Sequence, residues 1–194
     1  MRIVAATRNN GKIKEFQAIL NDLGIEVVSQ IDAGIDIEVE ETGDTFEKNA
    51  LIKAKSVAMM CDEPVIADDS GLCVEALGGA PGVYSARYAG EDASDKEKNV
   101  KVLSELADTK NRKAKFVSVI ALVFPNGDEI TAKGETYGSI THEPHGNGGF
   151  GYDPIFYSDD LKKTFAQADD NEKNTVSHRA KALQALYEKL KNVT

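Results

Sequence analysis

Two acidic pairs carry the first chemical signal in the sequence. Asp68-Asp69 closes the apolar run VIA and is followed by Ser70-Gly71, and Glu40-Glu41 closes the alternating stretch IDIEV. Neighbouring residues of an extended strand point to opposite faces, so Asp68 and Asp69 are expected to occupy separate environments rather than share a proton. One of them should face a cleft, because in open α/β sheets ligands collect beyond the carboxyl ends of strands. The competing reading is a solvated turn with an Asp as cap. Spacing alone does not say which of the two would act as a base.

The segment Thr7-Arg8-Asn9-Asn10-Gly11-Lys12 falls between a first strand and a first helix. Helix amino termini offer unpaired N–H groups and the positive end of the dipole, so phosphate binds there readily, and Lys12 adds charge. The segment is not a P-loop, since it lacks the first Gly of that motif and the Ser or Thr after its Lys. Carboxylates facing a phosphate loop would repel the ligand. A hard divalent cation resolves the conflict, because Mg²⁺ is typically held by one or two carboxylates together with substrate phosphates and water.

Two further segments offer recognition chemistry. Gly146-Asn147-Gly148-Gly149-Phe150-Gly151-Tyr152-Asp153-Pro154 satisfies GxGxxG, but strand-like Ile155-Phe156 follows where a dinucleotide fingerprint needs a helix. Phe150 and Tyr152 on a flexible glycine loop can instead stack a planar base, with Asp153 as hydrogen-bond partner; a plain core role is the alternative for Phe150. Asn171 to Arg179 (NEKNTVSHR) places Lys173, His178 and Arg179 near the start of the last helix, which Ser177 can cap. A solvated basic helix start is the alternative there. His142 and His145 are separated by two residues with Pro144 between and are not expected to hold a metal, and the GxSxG and HExxH patterns are both absent from the sequence.

Alternating strand and helix signals position these residues. Arg2 to Ala6 reads as a strand, and Ile13, Phe16, Ile19, Leu20 and Leu23 mark one face of a helix over 12–23 that Gly24 ends. Strands are predicted at 25–29, 35–41 and 65–68. A helix over 46–60 is capped by Thr42 or Asp44, and Ser94 caps another that runs to about Ala107. β-rich runs at 115–125 and 129–136 flank Pro125-Asn126-Gly127-Asp128, a strong hairpin signal, and a helix closes the chain from about Ser177 to Leu190. The predicted fold class is α/β, a single domain with a mixed sheet flanked by helices and bent into two lobes.

Bulk properties bound the function. The 194 residues fit one domain, and 41% hydrophobic with 28% charged residues is an ordinary globular composition. The amino terminus turns polar after Ala6 and no apolar run is long enough to span a bilayer, so a cytoplasmic protein without membrane partners is expected. A net charge of −9 argues against a protein that coats nucleic acid, though not against a nucleotide enzyme with a local basic cluster. Cys61 and Cys73 fit no metal or redox spacing and read as reduced core thiols.

Six segments in order, TRNNGK, VEETGDTF, VIADDSGL, GGAPGVYSARYAG, GGFGYDPIF and EKNTVSHR, resemble the inosine triphosphate pyrophosphatase family, whose substrates are ITP, dITP and XTP. The resemblance spans essentially the whole chain, with no departure at a motif position. It implies an elongated α/β fold with a curved mixed sheet, an active-site cleft between two lobes, and a homodimer. It further implies Mg²⁺-dependent attack of water at the α-phosphorus, with release of pyrophosphate and a nucleoside monophosphate. Carried over by motif, Thr7, Arg8, Asn9, Asn10, Gly11 and Lys12 would hold phosphates, and Ser70 would touch substrate. Glu40 and Asp69 would bind Mg²⁺, with Asp69 also the base for the attacking water. Phe150, Gly151, Tyr152, Asp153, Lys173, His178 and Arg179 would enclose the base. Asp68 and Glu41 are further candidates around the metal, and Lys53 for the phosphates. A donor such as Lys173 aimed at the 6-oxo group would reject adenine. A Maf-type nucleotide pyrophosphatase and a noncatalytic nucleotide sensor are the competing functions.

Overall fold

The computed structural model describes residues 1–21 and 23–191. Along the chain the elements are β1 (Arg2–Ala5), α1 (Asn10–Asn21), β2 (Glu26–Ser29), α2 (Phe46–Ala58), β3 (Val65–Val74), α3 (Asp95–Glu105), β4 (Lys113–Val123), β5 (Glu129–Ile140), β6 (Phe156–Ser158), α4 (Asp170–Val176) and α5 (His178–Lys191). The strands form one mixed sheet of order β2-β1-β3-β4-β5-β6, with helices, as the α/β reading requires. β1 runs parallel to β2 and β3, pairing Ile3 with Val27 and Val4 with Val65, whereas β5 and β6 are antiparallel. β4 and β5 are neighbours joined by the short turn at Asn126-Gly127, a link that permits only antiparallel pairing.

Two compact units share these elements: Met1–Asp69 with Ser118–Gly134 and Arg179–Thr194, and Ser70–Val117 with Glu135–His178. In the first, strand alternation sorts side chains to two faces. Ile3, Ala5, Ile66, Ile120 and Leu122 pack with Phe16 and Leu20 of α1 and with Leu183 and Leu186 of α5. Val4, Val65, Ala67, Ala121 and Val123 pack with Ala50, Ala54 and Val57 of α2. Strands buried on both faces read as continuous apolar runs, which is what RIVA and VIA show. The second unit has its own core of Leu72, Val102, Leu106, Phe116, Ile155, Phe156 and Phe165, with the Phe116 and Phe156 rings 4.6 Å apart.

Several expectations need correction. β3 does not end at Asp68 but continues to Val74, so the acidic pair lies within the strand. Residues 35–41 form no strand: burial alternates, but the Gln30 side-chain amide donates to the carbonyls of Ile35 and Ile37, groups that a ladder would otherwise use. The N-cap of α2 is Thr45, whose hydroxyl accepts from Lys48 N, rather than Thr42 or Asp44. The polar stretch before Ser177 contains the unpredicted α4, started by a capping box of Asp169 and Glu172. Cys61 and Cys73 are half-buried rather than in the core.

Candidate active site

Because β3 runs straight through the acidic pair, its alternation carries Asp68 and Asp69 to opposite faces of the first unit. Each then meets the helices of its own layer. Asp68 meets α1 and α5: Arg179 donates from Nε at 3.2 Å and Nη2 at 2.9 Å to Asp68 Oδ2, and Lys12 Nζ lies 3.1 Å from Oδ1. Arg179 Nη1 also donates to Glu15 Oε2, so one guanidinium bridges two carboxylates. Asp68 and Arg179 are each 1% exposed. Burial alone would push the Asp68 carboxyl up, but Arg179, Lys12 and Lys53 override it and hold the group well below the usual carboxylate range. Burial pushes Lys12 below its ordinary value, with Asp68 only partly offsetting it.

Asp69 meets α2 instead. Asn49 Nδ2 donates to Asp69 Oδ2 at 3.0 Å, while Lys53 Nζ lies 3.7 Å from Oδ1 and 2.5 Å from Glu41 Oε1. Asn49 and Lys53 stand four apart and so share one face of α2. Burial raises the Asp69 pKa and the Glu41 charge adds to it; Lys53 and Asn49 offset this only in part. Lys53 itself is disfavoured by burial but held above its ordinary value by Asp69, Asp68 and Glu41. Two neighbouring carboxylates are thus driven in opposite directions, the pattern that separates a fixed anion from a proton acceptor.

Asn49 has no exposed surface, and its Oδ1 accepts the Gly43 N–H at 2.7 Å. A Cβ on Gly43 would stand 2.6 Å from that oxygen, so the glycine is what lets the loop approach. Neither Asn49 nor Glu15 was among the predicted site residues. The i, i+4 spacing of Asn49 and Lys53 was the available signal for the first; for Glu15 no local pattern pointed to Arg179.

At the start of α1, Asn9 Oδ1 accepts from Gly11 N at 2.9 Å and Lys12 N at 3.2 Å, and Thr7 Oγ1 accepts from Asn9 N at 3.2 Å. An anion bound here would exchange with the Asn9 carbonyl for those donors. Arg8 pairs with Asp36, and Arg8 and Asn10 are exposed.

Glu40 is exposed, whereas Glu41 is half-buried and reaches Lys53. Among the described residues no group of three His, Cys, Asp or Glu is arranged to hold a metal. The donors near Asp69 are carboxylate oxygens, the type Mg²⁺ prefers, and one ammonium between Glu41 and Asp69 already shows that the pair accommodates a cation. Such a set fits Mg²⁺ when substrate phosphates and water complete the shell.

The second unit assembles Phe150, Asp153 and Lys173. Lys173 Nζ donates to Asp153 Oδ2 at 2.7 Å and stands 4.6 Å from the Phe150 ring centroid, while Phe150 N donates to the same oxygen at 2.9 Å. Gly149 has φ +69°, and a Cβ there would lie 2.1 Å from Asp153 Oδ2, so the glycine loop is required by this ion pair. Gly151 N donates to Asp95 Oδ2 at 2.7 Å. Tyr152 is a core residue whose hydroxyl donates to Ser85 O at 2.7 Å, a placement that commits its ring to packing rather than to stacking a base. His178 is buried with its ring 4.7 Å from that of Phe116. Ser70 is half-buried on β3, and Arg179, expected with the base-recognition residues, belongs to Asp68.

Comparison with known proteins adds an independent line. The profile of the Ham1 family matches residues 3–189. A dITP/XTP pyrophosphatase of Clostridium perfringens is 46% identical over 99% of this chain and 98% of its own length. That of Bacillus subtilis is 49% identical over 94% of this chain and 93% of its own. The solved structure of the Staphylococcus aureus Ham1 protein matches at a TM-score of 0.88 and 44% identity, covering 100% of both chains.

Proposed function

The chain belongs to the Ham1 family, and from that premise we propose that it hydrolyses the nonstandard purine nucleoside triphosphates XTP, ITP and dITP to the monophosphate and pyrophosphate. The observation that carries the reading is the division on β3: Asp68 held as an anion by Arg179 and Lys12 on one face, and Asp69, raised above its ordinary value by burial, set against Asn49 and Lys53 on the other. In the proposed step Asp69 takes a proton from water as the water oxygen bonds to the α-phosphorus. The bridging oxygen to the β-phosphorus departs with its electron pair, and pyrophosphate leaves. Asn49 fixes the Asp69 carboxylate for that transfer. Phosphoryl chemistry of this kind depends chiefly on positioning and on neutralising charge, and Lys12, Lys53 and the N–H groups at the start of α1 supply both.

Mg²⁺ belongs to the proposal. Asp69 with a carboxylate of the Glu40-Glu41 pair would hold it, and when bound it would neutralise developing charge on the phosphate oxygens. The homodimer and the cytoplasmic setting implied by the motif resemblance belong to it as well. Phe150, Asp153 and Lys173 would recognise the base, with the Lys173 ammonium offering a donor to O6.

The test is a panel of XTP, ITP, dITP, ATP, GTP and dTTP with Mg²⁺, assaying pyrophosphate and orthophosphate separately. Pyrophosphate from the nonstandard purines, in preference to ATP and GTP, is the expected result. Orthophosphate, or no product from any purine, overturns the reading.

A further inference from the structure

The second unit carries a cluster of cations that the proposed hydrolysis does not use. Lys110, Arg112, Lys113, Ser139, His142 and Tyr157 line an open cavity of about 710 Å³ where the start of β4, the end of β5 and β6 come together. Arg112 is fixed there by backbone alone: its Nε donates to Ile140 O at 2.7 Å, Nη1 to Leu106 O at 2.9 Å and Nη2 to Thr141 O at 2.7 Å. These bonds use three of the five N–H donors of a guanidinium and offset none of its charge. Burial pushes Arg112 below its ordinary value and no carboxylate raises it again. Among the described residues, Lys110, Lys113 and His142 likewise have no acid at ion-pair distance. In a chain with 32 acidic and 23 basic side chains, three unpaired permanent cations around one cavity are a feature to be explained.

We propose that this cavity is a second anion site, which takes a phosphate or diphosphate group between Lys110, Lys113 and the rigid Arg112. A guanidinium already locked by carbonyls loses little freedom on binding, and its remaining donors suit phosphate oxygens. The cavity exceeds a single phosphate in volume, and the three cations match the higher charge of a diphosphate. The site shares no residue with the clusters assigned to hydrolysis, so either assignment can fail without the other.

The test is a titration of the isotope-labelled full chain, with chelator present, by sodium pyrophosphate and separately by inorganic phosphate, following backbone amide resonances. Saturable shifts are expected in residues 110–113 and 139–142. They should weaken by roughly tenfold or more in Lys110→Gln/Lys113→Gln, which leaves Arg112 and its carbonyls intact. Shifts near Asn9 and Lys12 should persist in that variant, as should hydrolysis. Saturation by pyrophosphate at lower concentration than phosphate assigns a diphosphate ligand; equal concentrations assign a single phosphate group. Absence of shifts in these two segments, or shifts unaltered by the double substitution, overturns the site.

Discussion

Asn49 donates to Asp69 at 3.0 Å and in the same geometry accepts from the backbone of Gly43 at 2.7 Å, so one buried amide ties the proposed base to the loop before α2. Asn49→Ala is expected to lower kcat by about 10- to 100-fold with little change in KM, as when a group that orients a reactive ligand is lost. The Gly43 N–H also loses its acceptor, at a cost of about 1–3 kcal/mol in urea unfolding. Steady-state kinetics and urea melts on the same preparation separate the two effects. An unchanged kcat removes Asn49 from its positioning role.

Arg179 bridges Asp68 and Glu15, and all three are buried. Arg179→Met takes the guanidinium from two buried carboxylates, leaving Lys12 beside Asp68, and is expected to cost about 3–5 kcal/mol, whereas replacing all three with apolar residues should recover much of the loss. Arg179→Lys keeps charge but not the two-toothed contact with Asp68, so its midpoint in urea should fall between wild type and Arg179→Met.

Tyr88 gives the second unit a pH signature of its own. Burial and the hydrogen bond to Glu105 at 2.5 Å push its hydroxyl up to about 12, against about 10 in an unfolded chain. The folded state therefore holds this proton more tightly. The associated stability is fully present below pH of about 10 and is lost as pH rises toward about 12. Tyr88→Phe should lack that component of the alkaline loss, read as a shallower decline in melting temperature across the window. Identical slopes for both proteins would refute it.

Chelation tests the metal reading. Removing divalent cations should abolish hydrolysis and adding Mg²⁺ should restore it, with Ca²⁺ restoring less because it favours more ligands at longer distance. Asp69→Asn should both raise the Mg²⁺ concentration needed and lower kcat by about 10²- to 10⁴-fold. Full activity in chelator would remove Mg²⁺ from the proposal.

Much of this arrangement was legible in the sequence, and the failures have physical causes. The alternation of a strand sufficed to send Asp68 and Asp69 to different faces. It could not supply their partners, because Arg179 lies 111 residues away and Asn49 reaches Asp69 only after α2 packs on β3. Without those partners two adjacent carboxylates read as the end of a strand; with each charge paired, the strand continues to Val74. In 35–41 the period-two signal reported one-sided burial correctly but not a ladder, since Gln30 had taken the carbonyls. The aromatic pair of the glycine loop divided for a similar reason: Phe150 remains half-buried beside Lys173, while Tyr152 found a backbone acceptor in the core.

The recognition role proposed for Lys173 falls on a residue that also holds an ion pair, so a single substitution confounds recognition with stability. Its ammonium is paired with Asp153 at 2.7 Å, and both side chains are nearly buried. Lys173→Met alone takes the buried counter-ion from Asp153, and is expected to destabilise the second unit by about 3–5 kcal/mol. Lys173→Met/Asp153→Asn removes both charges and should recover most of that loss, giving a folded protein in which recognition can be read. If the ammonium meets O6 of the base, the preference for ITP over ATP in kcat/KM should narrow in this double variant by roughly 5- to 150-fold, the equivalent of about 1–3 kcal/mol for a buried donor no longer left unpaired by adenine. A preference equal to that of wild type would assign the discrimination to a backbone N–H instead, and leave Lys173 as the counter-ion that holds Asp153 and the glycine loop in place.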